Sequence, residues 1–280
     1  MVGIPSLRHL RAFQAVARLG SVGRASAQIH VTQPAVTQAL AKLEGQLGCI
    51  LFDRRPTGSF LTGTGGIFLR RVDRLFAMLD AALGEAPQHL VTSTHIRSLI
   101  AAASPGTLEV QAAQMGVSPT TLFRSVRGLE RVLGRRLVQA SAAGPELTPQ
   151  GAEIGRRLSL AVRELDYAAD EIATARGRQG ATLSLGVLPM SGSFAVASAV
   201  HALVTRHPGC RIRIIEGTYL KLLTCLRSGE VDMTFGAIRR PDWATDVSEL
   251  PLYNDTFCII VRRDHPITRL GTVTREDLAA

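Results

Sequence analysis

The fold is decided by the stretch TQPAVTQALAKLEGQLG at residues 32–48, which returns in altered form as SPTTLFRSVRGLERVLG at residues 118–134. The offset is 86 residues, and the match extends without a gap from residues 9–65 onto residues 95–151. Each stretch begins with a hydroxyl residue that can cap a helix and ends with a glycine that can stop one. A gap-free internal repeat of this length predicts two copies of one structural unit.

Apolar residues recur at helical spacing through the first copy. They predict helices over 6–19 and near 22–30, followed by a third helix that Thr32 caps. Pro34 suits the first turn of that helix, where an amide has no acceptor inside the helix. The side chains that face outward near the start of such a helix can meet base edges of DNA. The residues of this helix predicted to contact DNA are Thr32, Gln33, Pro34, Ala35, Thr37, Gln38 and Lys42.

A hairpin is predicted after the third helix, because Gly48 ends the helix and residues 51–62 resemble two strands around a turn. Arg54 and Arg55 lie at its tip, where cations would contact phosphates. A further amphipathic helix is predicted over 64–83. Its apolar stripe is too long for so small a domain to cover, so we expect a partner helix against it.

The second copy predicts the same elements, with helices near 94–103, 107–115 and 118–133, a hairpin over 137–148 and a long helix over 149–175. Its predicted DNA-contacting residues are Ser118, Thr120, Thr121, Arg124 and Arg127. Arginine can pair with guanine or hold phosphate. Phe123 is also expected to face outward, toward a thymine methyl group or a protein surface, and the hairpin tip at 141–144 has no cation. DNA contact by this copy and a purely structural role both stay open.

The C-terminal part alternates strands and helices over 183–236, which predicts a parallel sheet with helices on its faces. Ligands of such sheets bind beyond the carboxyl ends of the strands. The candidate effector residues follow those ends and are Ser191, Ser193, Thr218 and Gly236. Their hydroxyls and amides suit a carboxylate or another polar effector, and either serine could equally be a plain helix cap.

Positive charge is concentrated on the repeats. Residues 1–86 carry 10 Lys/Arg against 5 Asp/Glu and residues 87–180 carry 11 against 8, whereas residues 181–280 carry 11 against 10. This distribution indicates a polyanionic partner. The four scattered cysteines are expected to be reduced thiols, and no apolar run is long enough to span a membrane. We therefore expect a cytoplasmic protein.

The sequence contains no glycine-rich phosphate loop, no nucleophile elbow and no histidine cluster spaced for a metal. These are the signals that most enzymes of this fold class would carry. We expect no enzyme activity, no metal and no cofactor. An adaptor whose helical units only bind protein is the alternative to a DNA-binding regulator.

The first copy resembles the winged helix of LysR-type transcriptional regulators. The resemblance is carried by Ser21, Ala25, Ala27, the run 31–37, Leu43-Glu44, Leu47-Gly48, the run 51–54 and Leu61-Thr62. Residues 181–280 resemble the first lobe of that family's periplasmic-binding-protein-like effector domain. The resemblance implies a sequence-specific regulator that binds double-stranded DNA and a small-molecule effector, which is a sugar for some members.

The family normally carries one winged helix, so the second copy is a departure. The helix after the wing mediates dimerisation in the family, which implies a homodimer or a dimer of dimers. The order of elements favours residues 149–175 for that contact, and a dimer with four winged helices would have a long footprint on DNA.

The expected fold class is a mainly α N-terminal half with two winged helix-turn-helix units, followed by an incomplete α/β effector lobe. The expected domains are residues 1–86, 87–176 and 181–280. A family member would continue beyond residue 280, so most of a second lobe is expected to be missing.

Overall fold

The computed structural model describes residues 4–104, 107–142, 144–177, 182–189, 193–239, 246–254 and 259–279. The chain divides into two compact units, Met1–Gly236 and Ala237–Ala280. Within the described ranges, no helix is both long enough and apolar enough to cross a bilayer.

The first copy contains the three short helices, the hairpin and the longer helix that its sequence predicts. Its elements are α1 (Leu7–Leu19), α2 (Val22–Gln28), α3 (Gln33–Leu47), β1 (Phe52–Arg55), β2 (Gly58–Leu61) and α4 (Gly63–Leu83). Gly20 and Gly48 end α1 and α3 with φ angles of 65° and 61°. Glycine adopts this left-handed conformation without the steric cost that a Cβ would bring.

The second copy repeats these elements. They are α5 (Ser93–Ala103), α6 (Leu108–Gln114), α7 (Pro119–Leu133), β3 (Val138–Ser141), β4 (Gly144–Leu147) and α8 (Pro149–Ala175). Each element starts 86 residues after its counterpart. The hairpins also share one register, with Phe52 opposite Leu61 in the first and Val138 opposite Leu147 in the second.

The core of each copy lies between its helices and its hairpin. In the first copy the rings of Phe52 and Phe68 lie 5.4 and 4.8 Å from that of Phe13, centroid to centroid. Leu99 occupies the place of Phe13 in the second copy, and both side chains are fully buried. The same backbone frame therefore holds an aromatic core in one copy and an aliphatic one in the other.

The long helices α4 and α8 pack against each other within the chain. Val72 and Leu75 on α4 are buried, and so are Leu158 and Ala161 on α8. The expectation that residues 149–175 form the contact between two chains is therefore wrong, because α4 of the same chain covers the apolar stripe of α8. A homodimer of this chain would have to form through another surface.

The α/β part continues from α8. Its elements are β5 (Thr182–Val187), α9 (Ser193–Arg206), β6 (Arg211–Glu216), α10 (Tyr219–Arg227) and β7 (Met233–Phe235). Among the described residues, these strands pair in parallel in the order β6-β5-β7. The predicted parallel βαβαβ pattern is confirmed.

Asp232 fastens this α/β part to α8. Its carboxylate accepts hydrogen bonds from the Arg163 guanidinium and the Tyr167 hydroxyl, both at 2.9 Å. It also accepts one from the Ser184 amide of β5 at 2.8 Å. The helix that packs against α4 thus also carries the sheet.

The second compact unit contains a 3₁₀ helix, Pro266–Arg269, and a short helix α11, Arg275–Ala279. The described residues 246–254 and 259–265 form neither helix nor strand. In the part of the chain that the structure describes, Cys49, Cys210 and Cys225 carry free thiols, whereas Cys258 lies outside it.

Candidate nucleic-acid interface

The outward face of α3 holds the first set of predicted DNA-contacting residues. Val36, Leu40 and Leu43 are fully buried on the opposite face. The exposed residues are Thr32, Gln33, Pro34, Ala35, Thr37, Gln38 and Lys42. The structure thus brings the whole predicted set to one solvent-facing surface, whereas its contact with DNA stays a prediction.

Thr32 stands at the N-cap position of α3, but its side chain accepts no capping hydrogen bond. The prediction that it caps the helix with its hydroxyl is wrong. A cap accepts from the second or third amide of the helix, and Pro34 removes one of these donors. In the second copy the Ser118 hydroxyl does accept from the Thr121 amide, at 3.2 Å.

The tip of the first hairpin presents the two predicted cations. Arg54 is 48% exposed and lies 3.6 Å from Glu44, and Arg55 is 62% exposed and lies 2.7 Å from Asp53. The Arg55 guanidinium also lies 5.6 Å from the centre of the Phe60 ring. Exposed ion pairs contribute little to stability, so both arginines can turn to phosphate at small cost.

A glutamate ties each third helix to its hairpin. Glu44 accepts hydrogen bonds from the amides of Leu51 and Phe52, at 2.9 and 3.3 Å. Glu130 accepts from the two equivalent amides of the second copy, at 2.8 and 3.1 Å. These contacts hold the outward face of the helix in a fixed relation to the hairpin tip. The only signal in the sequence is the Leu-Glu pair that both copies share, and it does not indicate this role.

The outward face of α7 holds the second predicted set. Its exposed members are Ser118, Thr120, Thr121, Arg124 and Arg127. Phe123 is only 6% exposed, so the prediction that it faces outward is wrong. It lines a depression of about 880 Å³ whose walls include Leu108 of α6 and Pro145 of β4. The ring that helical spacing alone places at the surface is therefore buried.

Three arginines border the same depression. Arg124, Arg127 and Arg131 lie along α7 beside it, together with Glu109 and Glu130. Glu130 is already engaged with the hairpin amides. The face of α7 is therefore more basic than that of α3, where Lys42 is the one exposed cation of the predicted set.

The second hairpin differs from the first in charge. Gln139 donates a hydrogen bond to Glu146 across its strands at 2.7 Å. Ala142 is exposed at its tip, and Ala143 lies outside the described residues. The described residues of this hairpin carry no cation, whereas the first hairpin carries Arg54 and Arg55.

Two equivalent histidines lie behind the third helices. Burial lowers the pKa of His9, and the nearby charge of Lys42 lowers it further. Burial and the charge of Arg131 lower the pKa of His95 in the same way. Both rings are therefore neutral near pH 7, and the positive charge of each surface comes from its Lys and Arg side chains.

A second candidate site lies at the carboxyl edge of the parallel sheet. Thr218 is exposed there, and its hydroxyl caps α10 by accepting from the Lys221 amide at 3.4 Å. A Cβ on Gly236 would collide with the side chain of Leu188, so only glycine fits at the end of β7. The structure brings both predicted residues to one edge of the sheet.

For the other two predicted effector residues, the structure gives no contact at this sheet edge. Ser193 is the first residue of α9. Ser191 lies outside the described residues. An effector role for either serine stays a prediction.

Comparison with known families gives two matches. A model of the bacterial regulatory helix-turn-helix protein, lysR family, matches residues 7–66 and again residues 93–152. A model of the LysR substrate binding domain matches residues 176–280. The two helical matches fall on the two copies found in the sequence.

Curated relatives are described as regulators. The chain is 30% identical over 272 residues to the HTH-type transcriptional regulator GalR of Pseudomonas putida, covering 95% of this chain and 68% of the relative. It is 28% identical over 188 residues to a probable hydrogen peroxide-inducible genes activator of Mycobacterium avium, covering 67% and 60%. The chain thus spans 60–68% of the length of these two relatives.

Solved structures with some similarity include a CbnR DBD-DNA complex. It is 37% identical, has a TM-score of 0.25, and covers 25% of this chain and 80% of that one. Full-length OxyR from Pseudomonas aeruginosa is 25% identical, has a TM-score of 0.37, and covers 53% and 50%.

The matched families and relatives are regulators of transcription, which confirms the prediction that the chain is not an enzyme. The resemblance seen in the sequence is confirmed as well, in both the helical copies and the α/β part. Since the matches cover most of its length, the chain belongs to the LysR family of bacterial transcriptional regulators.

Proposed function

We propose that each copy is a winged helix-turn-helix unit and that α3 reads base edges in the major groove of double-stranded DNA. The observation that carries this proposal is the exposed polar start of α3 beside a hairpin tip with two arginines. Recognition helices place their first turns against base edges, and neighbouring cations hold phosphates. Gln33, Thr37 and Gln38 are assigned to base reading, and Arg54 and Arg55 to the backbone.

The second copy contacts DNA through Arg124 and Arg127 on α7. Their exposure and the basic rim beside them support this role. The uncharged second hairpin favours the alternative, a scaffold or protein-binding adaptor. Burial of Phe123 counts against the adaptor, because it removes the outward apolar ring that such a surface would use.

The α/β part binds a small polar effector, a carboxylate or a sugar, at the sheet edge marked by Thr218 and Gly236. Parallel sheets bind ligands at this edge because helix amides and strand ends meet there. The lobe is one half of a larger effector domain. This is supported by Phe194, Ile214 and Met233, apolar side chains that are 83%, 51% and 51% exposed.

The domain boundaries proposed are residues 1–86, 87–176 and 181–280. Because its proposed partner is chromosomal DNA, we propose that the protein lies in the cytoplasm. Self-association is proposed through a surface other than the paired long helices, since α4 and α8 already cover each other.

A DNA-binding titration at several salt concentrations tests the residue assignments. Gln38→Ala should lose discrimination at one base pair of the preferred site by about 1–3 kcal/mol, because one base contact disappears. Arg55→Ala should weaken binding to every sequence alike and lower the salt slope by about one unit, because one phosphate contact disappears.

Gln46→Ala is the matched control, since Gln46 is an exposed glutamine near the far end of α3. It should leave both specificity and salt slope as in the parent chain. Equal losses on preferred and random DNA for Gln38→Ala would contradict its assignment to base reading.

A further inference from the structure

Equivalent residues of the two copies touch each other. The Leu7 amide donates a hydrogen bond to the Ser93 hydroxyl at 3.1 Å, and these residues are separated by the repeat offset of 86. The Ser93 hydroxyl in turn donates to the Pro5 carbonyl at 2.9 Å. A residue meets its own equivalent only near a two-fold axis, so the two copies are related by an approximate two-fold rotation.

The long helices follow the same symmetry. Arg71 of α4 forms ion pairs with Glu164 at 2.7 Å and with Glu171, both in the second half of α8. Past the end of α8, the Arg176 guanidinium donates to the Gly48 carbonyl at the end of α3. The helices therefore run antiparallel.

The reciprocal contact is present at the other end of the pair. A Cβ placed on Gly84, just after α4, would lie 3.0 Å from the guanidinium of Arg135, just after α7. Each long helix thus ends beside the third helix of the other copy. An isologous interface has this reciprocity, in which the same surface is used twice.

From these contacts we infer that one polypeptide forms the two-fold pair of DNA-reading units that otherwise requires two chains, and that its partner is a duplex site with two unlike half-sites. The inference rests on the proposed function. One half-site is read by α3 and the other by α7. Two-fold related readers match the local two-fold symmetry of duplex DNA.

The half-sites differ because the two reading faces differ. Gln38 of α3 is replaced by Arg124 at the equivalent position of α7, and Lys42 is replaced by Gly128. A dimer of identical chains reads the same bases in both half-sites. The two reading faces of this chain need not recognise the same bases. A site with two different half-sites fixes the direction in which the protein is oriented along the DNA.

Selection of binding sites from random duplexes by the full chain, followed by footprinting, tests the inference. The selected site should contain two different half-sites, centred roughly one helical turn or a multiple of it apart. Sedimentation velocity with labelled duplex should show one chain for each pair of half-sites, whether or not the chains associate with one another. Gln38→Ala should change base preference in one half-site only and Arg124→Ala in the other, each raising Kd roughly 5- to 150-fold.

Two identical half-sites with two chains per duplex would overturn the inference while leaving the proposed function intact. The inference would also be overturned if both variants changed the base preference in the same half-site, or if Arg124→Ala changed the preference in neither. Failure to select any sequence would instead overturn the proposed function, and the inference with it. The Gln46→Ala chain should select the parent site and serves as the control for folding and selection.

Discussion

The two copies share a backbone and differ where they face solvent. Their third helices and hairpin strands have identical bounds once the offset of 86 is applied, and Leu43 and Glu44 correspond to Leu129 and Glu130. The outward positions differ in charge, from Gln38 to Arg124 on the helix and from Arg54 to Ala140 on the hairpin. Packing constrains the inner face of each copy, whereas the outer face is free to specialise.

The long helices differ in a second respect. α4 ends at Leu83, whereas α8 continues to Ala175 and carries the α/β part through Ser159, Arg163 and Tyr167. The Ser159 hydroxyl donates to the Ser228 carbonyl at 2.7 Å. Both helices therefore pack against each other, and α8 also connects to the α/β part.

The largest expected effect comes from substituting a buried residue where α4 and α8 pack against each other. Leu158→Ala should lower the free energy of unfolding by about 2–5 kcal/mol, because it opens a cavity at a fully buried position. Val72→Ala, at the equivalent position of α4, should lower the free energy of unfolding by less, since the change from valine to alanine removes fewer buried groups. Urea unfolding measures both.

Arg157→Ala is the control on α8, because Arg157 is 52% exposed and pairs only within its own helix. It should change stability by no more than about 0.5 kcal/mol. Two separate transitions, one sensitive to each alanine, would show that the helices do not share a core.

A smaller effect is expected at the contact between α8 and the α/β part, in which α4 does not share the hydrogen bond. Tyr167→Phe removes the hydroxyl bonded to Asp232 but keeps the ring, above which the guanidinium groups of Arg71 and Arg163 lie at 5.2 and 5.3 Å. The loss should be about 1.5–3 kcal/mol, the usual value of a hydrogen bond to a charged group. Hydrogen exchange should become faster in β5 and stay unchanged in α3. Faster exchange in both regions would mean that Tyr167 supports the helix pair itself.

The smallest effect concerns acid stability of the second copy. Hydrogen bonds from Arg156, with a further contribution from Arg157, lower the pKa of Glu153 from 4.5 to about 2. Ionised Glu153 therefore adds stability above about pH 4.5, and this is lost as the pH falls toward 2. Because 41% of the side chain is exposed, solvent limits the contribution to less than about 1 kcal/mol.

Urea unfolding at pH 7 and pH 3 measures that contribution. Glu153→Gln should destabilise the chain at pH 7 and show a smaller fall in stability on acidification than the parent. Ile67→Gln is the comparison at the equivalent position of α4, which carries no charge. An unchanged pH dependence in Glu153→Gln would contradict the assigned ion pairs.

Much of the backbone follows from local sequence. Glycines at helix ends, hydroxyl residues at helix starts and apolar spacing predict every helix of both copies, because each signal acts within a few residues. The outward faces of α3 and α7 follow from the same periodicity, except at Phe123. These parts of the candidate site are therefore predictable from the amino-acid sequence alone.

Contacts between distant segments could not be predicted. Helical spacing places Phe123 outward, but the side chain is only 6% exposed in the folded chain. An apolar stripe on 149–175 shows that something covers α8 without showing that the cover is α4 of the same chain. The roles of Glu44 and Glu130 are also invisible locally, because their partners are hairpin amides seven and eight residues away.

Isotope-mixed cross-linking determines whether α4 and α8 pair within one chain. Arg71→Lys places an amine beside Glu164, which a zero-length carbodiimide can join to it. Labelled and unlabelled chains of this variant are mixed in denaturant, refolded together, cross-linked and digested. Arg157→Lys, beside Glu153 in the same helix, is the control for the chemistry. We predict that the cross-linked peptides that join positions 71 and 164 are wholly labelled or wholly unlabelled. Peptide pairs with one labelled and one unlabelled member would show that α4 of one chain binds α8 of another, which would contradict pairing within one chain.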